Sequence, residues 1–532
     1  KETKLQPNEL DIIKHNNGLK LYLRGLSKGK KATPRSAIYN LKDQGIFKEP
    51  DQVLAEWKRV LSKLENGSDF EQNVFHFDSA QESKWGPQGA VPPISKLMDD
   101  VISPSFQQGM ETPAFSSGDW KEAKKTVTRL LMQNGCRSLR PASYKSVIDD
   151  MRARDTLESN SGWPLFTRRN KPEVVEQSIQ AAENGQWETY PAIALFRNYN
   201  QKTRLVWMFP MSTNLVEGSF FQPLQQILMK SALGKTFLAP WIGFEQVREN
   251  ITEAYQRGLA IAASDFSATD AHFKMATSME VADVLSPCFQ PQYRDAFRRS
   301  LVHMHTIPLV VSATTKLEGE HGVSSGSNWT NFVETIFDLL LATYVALQEN
   351  RTGGKYAGMY AIGDDMSWSV QRRHYDENFS ERLERYGKDV GQEIKADKTT
   401  NYPDKVKSLQ RLFQRGYLQS QSKQVRAVYS TIRALKSLIY PEKMHKQKLW
   451  SKDMHAIRCI MILENCIDHP LYSEFVRFIA AGDPYLVEFA RKPKHYQSSA
   501  LRKSKLVPGL NATYNQEKRN KDITTFAAIL QL

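Results

Sequence analysis

The residues best suited to chemistry are Gly363-Asp364-Asp365, set between Tyr360-Ala361-Ile362 and Met366-Ser367-Trp368. Short apolar runs on both sides of a glycine-led polar triplet predict two strands joined by a tight turn. Neighbouring side chains on a straight strand point to opposite faces, whereas two carboxylates at a turn converge on one point. Nothing in core packing asks for two unpaired acids there, so a hard divalent cation is their natural counter-charge. Taken alone the triplet reads first as a polar hairpin tip, because turns favour these residues.

A second acidic stretch changes that balance. In Leu259-Ala260-Ile261-Ala262-Ala263-Ser264-Asp265-Phe266-Ser267-Ala268-Thr269-Asp270 an apolar run of strand length ends on one acid, and another follows beyond small residues. The reading places Asp265 at the strand end beside Asp364 and Asp270 one turn further on. Carboxylates converging from separate strand tips suit two-metal phosphoryl transfer, in which the ions lie about 3.5–4 Å apart. Between the two acid sites, Ser324-Ser325-Gly326-Ser327-Asn328-Trp329-Thr330-Asn331 opens an amphipathic helix through Phe332, Ile336, Leu340 and Leu347, and could simply cap it. Upstream, Arg197-Asn198-Tyr199-Asn200-Gln201-Lys202-Thr203-Arg204 places Lys202 and Arg204 on one face if extended. They could clamp a triphosphate, Arg bidentately and Lys as a point charge, or decorate a solvated edge strand. Gly234-Lys235-Thr236 imitates the end of a P-loop, but the position five before Gly234 is Met229, so the motif is incomplete.

The elements that must position these residues fit a large chain. Its 532 residues exceed one simple core, and 72 Lys and Arg against 58 Asp and Glu give a net charge of +14, pointing to a polyanion partner or a basic solvated surface. Cys136, Cys288, Cys459 and Cys466 show no metal or disulfide spacing, which suits a reducing compartment. No apolar run long enough for a membrane span and no leader is read. Residues 1–85 read as an extension with helical pieces such as 51–64, and 78–89 as a Ser/Gln/Gly/Pro linker. Ser159-Asn160-Ser161-Gly162-Trp163-Pro164 reads as a turn-rich loop with an exposed aromatic. Periodicity supports an α+β fold with a helical C-terminal third, including 429–439 and 454–467. Residues 491–505, with six cations and no acid, read as a loop or mobile segment.

Jointly, Asp265-x4-Asp270, then Ser325, Gly326 and Thr330, then Gly363-Asp364-Asp365 resemble motifs A, B and C of viral RNA-dependent RNA polymerases, in order. Lys202 and Arg204 resemble motif F, Ala396-Asp397-Lys398 motif D, Phe413-Gln414-Arg415 motif E and Ser161-Gly162-Trp163-Pro164 motif G. Trp329-Thr330-Asn331-Phe332 is most similar to the double-stranded RNA viruses of the picobirnavirus and partitivirus group. Four residues after Thr330, many plus-strand members carry an Asn that reads the ribose. Here Glu334 stands instead, with Asn331 the alternative reader.

The resemblance implies a cupped right hand: an N-terminal extension at 1–85, fingers at 86–255, a palm of antiparallel sheet and helices at 256–425, and a mainly helical thumb with tail at 426–532. Part of 281–321 would return to the fingers. It implies that Asp265 and Asp364, supported by Asp365, bind Mg2+ (or Mn2+), and that Lys398 is the general acid. Lys202 and Arg204 would hold the nucleotide triphosphate, and Asp270, Ser325, Gly326, Thr330 and Asn331 its ribose side. Implied partners are template and product RNA, NTPs and capsid protein, without a membrane, inside the virion or in host cytoplasm. A metal-dependent nuclease would use the same acids, and an RNA-binding scaffold the same charge. The basic tail would reach back toward the cleft as a plug, the alternative being a solvated basic tail.

Overall fold

The computed structural model describes residues 1–532 apart from 268, 508, 509 and 511–521. Two sheets position the chemistry. The first has five strands, in the order Glu2–Lys4, Thr315–Leu317, Leu309–Val310, Ala192–Tyr199, Lys202–Met208. Only the pairing of Leu309–Val310 with Ala192–Tyr199 is parallel. Its last pair is the basic hairpin, turned by Asn200 and Gln201 at φ +52° and +64°. Both turn positions therefore lie in the left-handed region that tight hairpins require.

In the second sheet the order is Glu393–Ile394, Leu259–Ser267, Asp365–Gln371, Ala357–Ile362, and Thr400–Tyr402 also pairs with Leu259–Ser267. Leu259–Ser267 reads as a nearly continuous apolar run because both of its faces are covered. Ala260, Ala262 and Phe266 enter the largest core, while Ile261 and Ala263 enter a separate cluster on the other face. Over Ala357–Ile362 lies the helix Trp329–Thr352, apolar on nearly every side and accordingly buried. Composition predicts no membrane span. This helix is nonetheless long and apolar enough for one, yet 78% of its most apolar window is buried inside the fold.

A third body joins the hairpin Lys405–Ser408 and Arg411–Gln414 to the helices Thr431–Ile439, Lys452–Glu464 and Tyr472–Gly482. The N-terminal segment crosses between bodies. Leu5, Ile13, Leu19 and Leu23 pack with Ile193 and Val310 of the first sheet. Val53, Trp57 and Leu61, on the expected helix Pro50–Leu61, pack with Leu435, Ile460 and Phe475.

Three sequence expectations are corrected. Residues 491–505 are not a loop: Lys494–Ser504 is helical, with Gln497, Ala500, Leu501 and Ser504 buried against Lys452–Glu464. Those four form an i, i+3, i+4, i+7 stripe that the surrounding cations mask. Residues 78–89 are not a linker, since Asp78, Gly86, Gln88 and Gly89 are buried. Trp163 is not exposed: it is buried, with its ring 5.7 Å from that of Phe166.

Candidate active site

Strand register brings the acids together. Asp365 opens its strand directly opposite Asp265, while Asp364 occupies the turn after Gly363, whose φ is +56°. Asp265 is not at the strand end, since the strand runs on to Ser267, and its cross-strand partner is Asp365 rather than Asp364. One carboxylate oxygen from each of Asp265, Asp364 and Asp365 lies within 4.8 Å of the others. The turn is held from beneath, where the Gly363 N–H donates to Thr335 Oγ1 at 2.9 Å and the Thr335 hydroxyl donates to the Asn331 carbonyl at 2.7 Å.

Electrostatics mark the cluster as short of positive charge. Crowding by protein, then the Asp364 charge, pushes Asp265 up to about 6 against the pull of Lys398, Arg204 and Lys84. Burial first and then Asp364 and Asp265 hold Asp365 well above the ordinary carboxylate range. Carboxylates that destabilise one another's charged forms in a walled cleft are relieved by a hard dication, so this donor set fits one.

Asp270 lies beyond Asp265 on the short turn Thr269–His272 and is hydrogen-bonded to Glu334. Burial, with the Asp364 charge, raises Asp270 to about 6 against the Glu334 hydrogen bond and Arg204. Asn331 is exposed, and a Cβ at Gly363 would lie 3.1 Å from its Nδ2, so its amide sits over the turn. Ser325 and Thr330 are used differently. The Ser325 hydroxyl donates to the Leu205 carbonyl and accepts from the Trp207 N–H, both at 3.3 Å. Thr330 is buried and donates to the Ser324 carbonyl at 2.5 Å. A Cβ at Gly326 would lie 1.5 Å from the Trp207 carbonyl oxygen, so only glycine lets this loop rest on the basic hairpin.

Lys202 and Arg204 are exposed on the edge strand, and Lys398 is exposed on the turn Ala396–Lys398. The field of Arg204 reaches Asp265, Asp270 and Asp364. Arg415 instead ties neighbouring segments together through Asp404 and the Tyr255, Leu259 and Pro403 carbonyls.

Sequence reasoning missed four residues. Glu217 accepts from the Asn328 N–H at 2.9 Å, from Asn214 Nδ2 at 3.0 Å and from the Ser327 hydroxyl, clamping the Ser/Gly loop. Burial raises it to about 7 against those hydrogen bonds. Asp338, one helical turn beyond Glu334, is fully buried with neither oxygen hydrogen-bonded among the described residues. Burial, then Asp364 and Asp365, keeps it protonated well above its usual range. Thr335 holds the turn, and Lys84 reaches the field of Asp265 from the N-terminal segment. An acid inside a long, largely apolar helix was the available signal, for Asp338 and for Glu217.

Convergent acids on an antiparallel sheet, roofed by a basic hairpin and flanked by a helical body, are the palm and surroundings of a right-hand nucleic-acid polymerase. The chain belongs to the viral RNA-dependent RNA polymerase family, whose profile matches residues 199–478. A protein of Human picobirnavirus described as a potential RNA-dependent RNA polymerase is 26% identical over 497 residues, 88% of this chain and 85% of that one. The crystal structure of the RNA-dependent RNA polymerase of a human picobirnavirus superposes with a TM-score of 0.79 at 20% identity, covering 99% of both chains. That of its insertion-loop deletion mutant gives 0.78 at 21% identity, with the same coverage. The chain is thus an RNA-directed RNA polymerase, acting on template RNA and NTPs.

Proposed function

We propose that Asp265 and Asp364, with Asp365 in support, hold two Mg2+ ions, Mn2+ being the alternative, and that the remaining residues named above arrange an NTP around them. Bound there, the ions would supply an activated primer 3′-hydroxyl and neutralise the β- and γ-phosphates. Arg204 and Lys202 orient the triphosphate by charge. Asp270, in contact with Glu334, and Asn331 face the sugar, while Ser325, Gly326 and Thr330 fix the loop that frames it. Lys398 carries the proton for departing pyrophosphate. Residues 86–255 serve as fingers, joined by part of 281–321, with 256–425 as palm, 426–532 as thumb and 1–85 as the N-terminal extension. Replication and transcription of a double-stranded RNA genome, within the particle and in host cytoplasm beside capsid protein, fit this reading.

The observation that carries the assignment is the mutual proximity of the three carboxylates across two strands. Incorporation of labelled NTP on an RNA template with Mg2+ tests it. Wild type should extend the product, and Asp364→Ala should lose roughly three orders of magnitude in rate while binding RNA within about twofold, because phosphates are held by Lys and Arg. Near-normal turnover in the variant would overturn the metal assignment.

A further inference from the structure

Lys84 lies in the field of three further cations from separate stretches of chain, and in that of Asp265. Lys84 ends the short helix Ala80–Lys84, Lys202 opens the edge strand Lys202–Met208, Lys407 lies on Lys405–Ser408, and Arg433 lies on Thr431–Ile439. The meeting is built rather than incidental. At the tip of the basic hairpin, Gln201 Nε2 donates to the Trp85 carbonyl at 2.7 Å, and Asn200 Oδ1 accepts from Lys436 Nζ at 3.3 Å. Tyr199 accepts from Arg433. The hairpin tip is thereby pinned between the N-terminal segment and the helical body, with Lys84 next to the pinning residue Trp85.

Lys84 is half-buried. Burial, then the charges of Arg433 and Lys407, hold its ammonium below the ordinary lysine range; Lys202 adds to this and Asp265 opposes it. Among the described residues, no carboxylate forms an ion pair with Lys84, Lys202 or Lys407. Like charges crowded at reduced dielectric repel strongly, and an anion is the missing member of such a set. A triphosphate concentrates several negative charges in one place, which suits cations converging from four directions. A nucleic-acid backbone spreads its charge along the strand.

We propose that Lys84 binds the triphosphate of the incoming nucleotide, so that the N-terminal segment contributes directly to the polymerase site. The inference rests on the site reading above and adds a residue from outside every motif recognised in the sequence. Lys84 meets the anion as a point charge, so its effect falls on nucleotide affinity more than on the chemical step.

The test is single-nucleotide incorporation on a primed RNA template by full-length Lys84→Gln and Lys84→Arg, with thermal melting as a check on folding. Lys84→Gln should raise the NTP KM about tenfold with kcat within about twofold, and Lys84→Arg should recover most of the loss. Inorganic tripolyphosphate, competing with NTP, should inhibit Lys84→Gln more weakly by a similar factor. An unchanged KM and unchanged tripolyphosphate inhibition in a normally melting Lys84→Gln would overturn the proposal. So would weakened RNA binding with normal KM, which would give Lys84 to the RNA backbone. Failure of the underlying site reading would show instead as activity retained by Asp364→Ala.

Discussion

Asp265 titrates near 6 because protein crowds it and Asp364 repels its charged form. Metal ligands must be deprotonated to bind, so the sign follows: as pH falls through about 6 Asp265 takes up a proton, which competes with the cation. The Mg2+ concentration needed for half-maximal incorporation is expected to rise steeply between about pH 7 and pH 5.5, as a metal titration at each pH would reveal. Asp270 and Asn331 carry the second residue-scale prediction. A site built to bond a hydroxyl rejects an analogue lacking it and relaxes once the partner is removed. Asp270→Ala and Asn331→Ala are each expected to reduce the preference for NTP over dNTP by about tenfold in competition assays. Unchanged discrimination in both would remove them as sugar sensors. These acids were legible because charged residues beside apolar runs need a reason. Lys84 was not, since nothing local announces that residues more than a hundred positions away will surround it.

At the scale of elements, the Ser/Gly loop shows how one residue type can serve a reason other than the expected one. The loop precedes the helix Trp329–Thr352, and the sequence marks both its place and the helix behind it. It does not say that Ser325 and Gly326 lie on the backbone of the basic hairpin, because that docking depends on two strands folding from residues 118 or more positions earlier. Gly326→Ala places a methyl carbon inside the van der Waals shell of the Trp207 carbonyl, and backbone on both sides leaves little to yield. The variant is expected to lose about 1–3 kcal/mol of stability and most of its activity, because the overpacked loop shifts away from the hairpin that carries Lys202 and Arg204. Urea unfolding and NTP incorporation, measured on the same preparation, check both. Full activity would mean that the loop is free to move without consequence for the cations. The tail helix Lys494–Ser504 teaches the converse lesson, in which the six cations of residues 491–505 hid a four-residue stripe that docks on the helical body.

At the scale of the molecule, residues 1–85 form a brace between the first sheet and the helical body, and its firmest joint is Asp78. The α+β class and the order of the functional stretches could be read from the sequence, whereas this joint links residues separated by 352 to 391 positions and has no local signature. The Asp78 carboxylate is fully buried. It accepts from Ser430 Oγ at 2.6 Å, Ile432 N at 3.0 Å, Thr431 N at 3.1 Å, Thr431 Oγ1 at 2.5 Å and His469 Nε2 at 2.8 Å. It thus caps the helix Thr431–Ile439 from another part of the chain, where the helix dipole also favours a negative charge. Burial alone would raise its pKa, but the hydrogen bond and charge of His469, with the two hydroxyls, bring it below the ordinary value. A depressed carboxylate pKa contributes stability that is complete above the unfolded value, near about 3.9, and disappears as pH falls through the folded one. Asp78→Ala strands His469 and two backbone N–H groups in the interior, so at pH 7 it is expected to cost about 3–5 kcal/mol in urea unfolding. Asp78→Asn, which keeps the shape but not the charge, should fall between it and wild type. Limited proteolysis should then release the first 85 residues from Asp78→Ala while wild type stays intact, because opening this joint exposes the segment linking the two bodies. If Asp78→Ala unfolded within about 0.5 kcal/mol of wild type and resisted protease equally, the apolar contacts of Trp57, Val53 and Leu61 would be the true joint, and Asp78 a cap with little influence beyond its own helix.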